Sequence, residues 1–200
     1  MNYLAHLYLS GSDPDITIGN FIGDFVKGKA FERFDPKIQT GVLLHRTIDE
    51  YTDSHPVVMQ SKERLRPNYR HYAPVIVDIF YDHFLAAKWN DFHHEPLLQF
   101  TERFFDLTSD YAHIIPDKAR QMLAYMKRDN WLYHYQHLRG IQQVLNGMSR
   151  RTTFDSHMEL ALADLKEDYE AYEHEFMTFF PDLKLCAHRF LNENTSPDTL

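Results

Sequence analysis

A single cysteine, Cys186, rules out an internal disulfide and with it any scaffold stapled by cross-links. Glycine is scarce at 7 residues, so the chain has few positions suited to tight hairpins, and helices are favoured. No apolar stretch reaches the roughly 20 residues of a membrane span. The opening "MNYLAHLYLS" has no basic leader and is broken by His6, which is not the pattern of a signal peptide. Basic charge is not in excess either. The formal net charge of −8 argues against general nucleic-acid affinity, while leaving room for a local basic patch. Phosphate loops, dinucleotide fingerprints and nucleophile elbows are all missing. These absences lead us to expect a cytoplasmic protein without nucleic-acid or membrane partners.

What is present is a globular composition, 44% hydrophobic and 25% charged, with 15 Phe and 12 Tyr. The 200 residues suffice for one domain with a substantial core. Asp35 before Pro36 predicts a helix start, a capping carboxylate with proline in the first turn, and that helix should run through His45 to about Thr52. A second helix opens at Pro56, and a long buried one covers about Tyr72 to Asn90. Pro96 and Pro116 open two more. "LYHYQHLRGIQQVLNGM" reads as a further helix stopping near Gly147. The longest, from Ser156 to Phe180, is expected to stop at Pro181. The fold class is therefore all-α, a single helical domain over residues 1–191 with a polar tail at 192–200.

Helical spacing places His45 beside Asp49, and Asp78 beside Asp82. The surroundings are apolar: Val42, Leu44 and Ile48 on one helix, Val77, Ile79 and Phe80 on the other. Carboxylates in such company need cations, because burying an unpaired charge costs several kcal/mol. Arg46 and Arg64 could supply them as plain core ion pairs. A metal ion could do so as well. His6, Asp24, His45, Asp49, Asp78, Asp82 and His83 form an oxygen- and imidazole-rich donor set without thiolates, of a kind that suits Mn²⁺, Mg²⁺, Fe²⁺ or Zn²⁺ and leans toward manganese or magnesium acting on a phosphoryl group. Lys27 and Lys29 follow Asp24 closely, and Lys62, Arg64, Arg66 and Arg70 make a basic cluster in an acidic chain. Arg150 and Arg151 read as ordinary surface.

Five segments, "MNYLAHLYLS", "GNFIGDFVKG", "GVLLHRTIDEYTDSHP", "APVIVDIFYDHFLAAKW" and "IQQVLNGMSRR", resemble in order and interval the acyl carrier protein phosphodiesterase family. The resemblance covers about residues 1–185. It implies an all-helical, cytoplasmic, divalent-metal hydrolase, typically using manganese, distantly related to HD-domain phosphohydrolases. Such an enzyme removes 4′-phosphopantetheine from holo-acyl carrier protein, restoring the serine of the apo protein. The usual His-Asp doublet is not here in its standard order, and Asp82–His83 is the nearest equivalent.

On this resemblance, Asp24, His45, Asp49, Asp78, Asp82 and His83 are expected to converge on the metal. Asp24 or Asp82 would orient water, and His6 would protonate the leaving serine oxygen or support a ligand. Lys27, Lys29 and Arg46 would hold the phosphate. Arg64 and Arg66, with Lys62 and Arg70, would dock the acidic carrier protein. Two other readings fit the same residues: a phosphohydrolase for nucleotides or small phosphate esters, and a helical binding protein without chemistry.

Overall fold

Helix starts in this chain are set by proline and by short polar side chains. In the computed structural model, which describes residues 1–195, Asp13 accepts hydrogen bonds from the backbone N–H of Asp15 and Ile16, and Pro14 opens the helix. Pro36 and Pro56 open helices in the same way. Asp35 makes no capping bond, so there the proline alone marks the start. The His55 ring caps its own helix by accepting from Val57 N–H at 3.3 Å.

The α-helices are α1 (Tyr3–Leu9), α2 (Pro14–Ile22), α3 (Pro36–Ser54), α4 (Pro56–Tyr69), α5 (Ala73–Ala87), α6 (Trp89–Phe92), α7 (Leu97–Asp110), α8 (Asp117–Arg128), α9 (Trp131–His134), α10 (Leu138–Ser149), α11 (Ala161–Glu167) and α12 (Tyr169–Thr195). Short 3₁₀ turns join several of them, including Gly23–Phe25 directly after α2. No strand occurs among the described residues, and no helix there is long and apolar enough to cross a membrane.

α5 is the axis. Ile76, Val77, Ile79, Phe80, Phe84 and Leu85 are all fully buried, so it is apolar around most of its circumference. α1, α4, α10 and α12 pack about it. α12 supplies Phe176, Phe179 and Phe180, which meet Tyr81, Phe84 and Phe92 ring to ring. α2 and α3 approach unusually closely at Gly19 and Gly41. A Cβ on Gly41 would overlap the Ile16 carbonyl oxygen, and one on Gly19 would overlap that of Ile38. This contact presses Asn20 of α2 against His45 of α3.

Two expectations fail at the C-terminal end. The helix foreseen from Ser156 to Phe180 is broken: a 3₁₀ turn at Met158–Leu160 leads into α11, which gives way to α12 at Asp168. Nor does Pro181 stop α12. Proline costs a helix interior about 3 kcal/mol. Here it lies on the exposed face, where the carbonyl one turn back can reach water, while Phe176, Phe180 and Leu183 hold the helix down on both sides. α12 continues to Thr195, into the expected tail, and residues 196–200 lie outside the described residues.

Candidate metal centre

His6 on α1 and His45 on α3 stack face to face, ring centres 4.1 Å apart and planes inclined at 21°. Both are buried, at 3% and 4% exposure. Asn20 orients the pair. Its amide nitrogen donates to the His6 carbonyl and to Ser10 Oγ, each at 2.9 Å, so its side-chain oxygen is the acceptor facing His6 Nδ1 at 2.8 Å. The Asn20 backbone carbonyl meets His45 Nδ1, also at 2.8 Å. A carbonyl only accepts, so both rings carry their proton on Nδ1 and turn Nε2 the other way.

Asp49 lies where the two Nε2 atoms point. Its oxygens are 3.2 Å from His6 Nε2 and 3.1 Å from His45 Nε2. One ligand atom from each of His6, His45 and Asp49 falls within 4.8 Å of the others. Asp24, in the 3₁₀ turn after α2, adds an oxygen 3.3 Å from His45 Nε2. Bare imidazole lone pairs aimed at a carboxylate repel it unless a proton or a metal cation sits between them. Two imidazole nitrogens and carboxylate oxygens, with Nδ1 tied down behind them, are a donor set that fits Mn²⁺, Fe²⁺ or Zn²⁺.

The protonation states agree with this geometry. Burial, and then the neighbouring His45, lower the His6 pKa, while its Nε2 faces the Met1 carbonyl oxygen as well as Asp49, each at 3.2 Å. Burial opposes charge on His45 too, but its bonds to Asp24 and Asp49 outweigh that and push it up to about 9. Asp49 is desolvated, yet hydrogen bonds from His45 and His6 hold it well below the carboxylate range. Asp24 is lowered likewise: burial is outweighed by its bond to His45.

A cavity of about 330 Å³ opens beside Asp49. Its lining combines the carboxylates of Asp24, Asp49, Asp53 and Asp78 with the apolar side chains of Met122, Trp131, Val144 and Met148, and Arg151 also lines it. Asp78 lies 3.1 Å from the Met1 ammonium, which also faces Asp49 at 3.9 Å. Burial raises Asp78, against the pull of that ammonium.

The structure brings His6, Asp24, His45 and Asp49 together and puts Asp78 on the same cavity. It does not bring in Asp82 or His83. Asp82 is fully buried and accepts the backbone N–H of Leu4 at 2.8 Å and Ala5 at 3.2 Å, so it caps α1. Burial raises its pKa to about 7. His83 turns away, with Nδ1 on the Tyr135 carbonyl at 2.7 Å and Nε2 on the Tyr169 hydroxyl at 3.0 Å.

The expected phosphate and docking cations are also elsewhere. Arg46 donates to the carbonyls of Val26 and Gly28 and covers Phe31, bracing that loop. Lys27 and Lys29 are exposed and outside the cavity lining. Arg64 makes a two-pronged pair with Glu175 at 2.7 and 3.0 Å and stacks over Tyr172. Arg66 is exposed. Lys62 points inward, 2.7 Å from Asp53. Reading the sequence gave no role to Asn20, Trp131 or Met122 and took Arg151 for plain surface. An amide on the buried face of an otherwise apolar helix was the one signal available for Asn20.

The family model for "Acyl carrier protein phosphodiesterase" matches residues 1–183. Proteins with that name are similar over nearly the whole chain. One from Photorhabdus laumondii is 32% identical, covering 90% of this chain and 92% of its own. One from Enterobacter is 35% identical, covering 94% and 97%, and one from Escherichia coli is 35% identical, covering 94% and 98%. No solved structure matches, so the expected kinship with HD-domain enzymes has no fold comparison behind it. A family model over most of the length and these full-length relatives agree on one assignment: the chain belongs to the acyl carrier protein phosphodiesterase family, a family of enzymes.

Proposed function

We propose that this protein is a divalent-metal phosphodiester hydrolase that removes 4′-phosphopantetheine from holo-acyl carrier protein, the carrier of fatty acid biosynthesis, in the cytoplasm. The products are apo-acyl carrier protein and 4′-phosphopantetheine. The observation that carries this reading is the pair of Nε2 atoms, their rings held by Asn20, converging on Asp49, which lines a cavity. His6, His45 and Asp49 would hold the ion, with Mn²⁺ the first choice and Mg²⁺ or Fe²⁺ the alternatives. When bound, the ion would supply Lewis acidity and neutralise charge gathering on the phosphodiester.

The chain's own groups have distinct tasks. Asp24, ionised and opening on the cavity, is placed to orient the attacking water and take up its proton. Arg151, the guanidinium among the cavity-lining residues, would hold the phosphate oxygens. The apolar wall of Met122, Trp131, Val144 and Met148 takes the pantetheine arm and keeps water from it.

The test is incubation of holo-acyl carrier protein with the enzyme and Mn²⁺, followed by mass measurement of the carrier protein. The expected result is loss of one phosphopantetheine group, abolished by chelation and by Asp49→Ala. Unchanged mass with the native enzyme and each of the three metals would refute the reading. Turnover that survives both chelation and Asp49→Ala would refute its metal centre.

A further inference from the structure

Charge is unevenly distributed along this chain. Residues 117–151 contain seven Lys and Arg against two Asp, whereas the other 165 residues contain 14 Lys and Arg against 27 Asp and Glu. α8, α9 and α10 fold the basic stretch around an open groove of about 1030 Å³. Arg128, Arg139 and Arg150 line it, with His134 and His137 between them. Arg128 is committed to Asp129 at 2.7 and 2.8 Å. Arg139 and Arg150 are exposed and have no acidic partner among the described residues.

Trp131 joins this groove to the candidate metal centre, because it lines both the groove and the cavity that holds Asp24 and Asp49. The Arg151 guanidinium, which lines the cavity, sits 5.6 Å from its ring centre. In the basic cluster around α4, Lys62 is spent on Asp53 and Arg64 on Glu175 and Asp168, and the exposed Arg66 and Arg70 line neither the groove nor the cavity.

We propose that the α8–α10 groove is the docking surface for the protein substrate and receives an acidic face of that partner. The proposal rests on the reading of the neighbouring cavity as the site that cleaves a protein-borne phosphodiester. An acidic protein meets a net negative charge over the rest of the chain and a net positive one in this stretch, which steers the encounter towards the groove that shares Trp131 with the cavity. A nucleic acid fits less well. Its continuous phosphate backbone, running on from the groove, would meet the four carboxylates of the cavity.

The experiment compares Arg139→Glu/Arg150→Glu with Arg33→Glu/Lys166→Glu, a pair with the same change in net charge on exposed positions elsewhere. Steady-state release of phosphopantetheine from holo-acyl carrier protein is measured at low and high salt. The groove variant should raise KM about tenfold or more, hold kcat within about twofold and flatten the salt response of KM. The control pair should behave as the native enzyme. Equal KM values for both variants, whether shifted or not, would overturn the proposal. If the native enzyme released no phosphopantetheine, the functional reading would fail on its own account. Fluorescence anisotropy with labelled apo-acyl carrier protein would then decide the docking surface. Affinity lost only in the groove variant supports it, and equal affinity, or no binding by the native protein, overturns it.

Discussion

At the scale of single residues, Asn20 and His45 determine how the centre responds to pH. Asn20 commits Nδ1 of both imidazoles to donating, so any ion or proton must be taken at Nε2. His6, its pKa lowered by burial, is ready to ligate. His45 holds a proton between Asp24 and Asp49 up to about pH 9, which a metal must displace. The affinity for Mn²⁺ should therefore rise about tenfold per pH unit from about pH 7 towards 9. Calorimetric titration in buffers of different ionisation enthalpy should show close to one proton released per ion. The sign reverses for the metal-free protein. The folded-state pKa of His45 lies above its usual 6.5, so its stabilising charge is fully present below about pH 6.5 and lost as pH rises through about 9. Affinity independent of pH in that window would remove His45 from the ligand set.

At the scale of elements, the seven-residue helix α1 holds His6 in place, and Asp82 holds α1. Its two oxygens take the orphan N–H groups of Leu4 and Ala5 at the first turn, where a helix end favours negative charge. Asp82→Ala should lower unfolding free energy by about 2–3 kcal/mol, as expected for leaving the two buried N–H groups of Leu4 and Ala5 without their acceptor. Denaturant melts would measure this. Metal affinity at temperatures where the variant is folded should fall far less than in Asp49→Ala. An equal loss of metal binding in both would make Asp82 a ligand instead. The sequence pattern did show Asp82 as a carboxylate needing a partner. It could not show that the partner was the backbone of a helix almost eighty residues earlier. The same limit governs the other elements. Pro14, Pro36 and Pro56 mark helix starts because their effect is local. Pro181 is tolerated because apolar side chains packed on both sides of it outweigh a local penalty, a balance that only tertiary structure sets.

At the scale of the whole molecule, the candidate centre is a junction. α1 brings His6, α2 brings Asn20, α3 brings His45 and Asp49, and the turn after α2 brings Asp24. Spacing along one helix made His45 and Asp49 legible as a pair. His6 and Asp24 were recognisable as donor types but not as neighbours, and Asp82 and His83 share a helix with Asp78 without sharing its cavity. A donor set assembled from separate helices exists only in the folded chain, so an ion that binds it must stabilise the fold. At a free ion concentration a hundredfold above Kd the gain is about 2.7 kcal/mol. For a domain of this size each kcal/mol moves Tm by roughly 2–4 °C, so saturating Mn²⁺ should raise it by about 5–10 °C. Scanning calorimetry with and without Mn²⁺ measures the shift, and a chelator should reverse it. Asp49→Ala should abolish the shift while leaving the protein folded, since removing the shared carboxylate leaves His6 and His45 without their common partner. A native protein whose Tm ignores Mn²⁺, Mg²⁺ and Fe²⁺ alike would show that Asp49 and His45 are only a charged pair closing the junction. The metal reading would then fall, even though the helices meet as described.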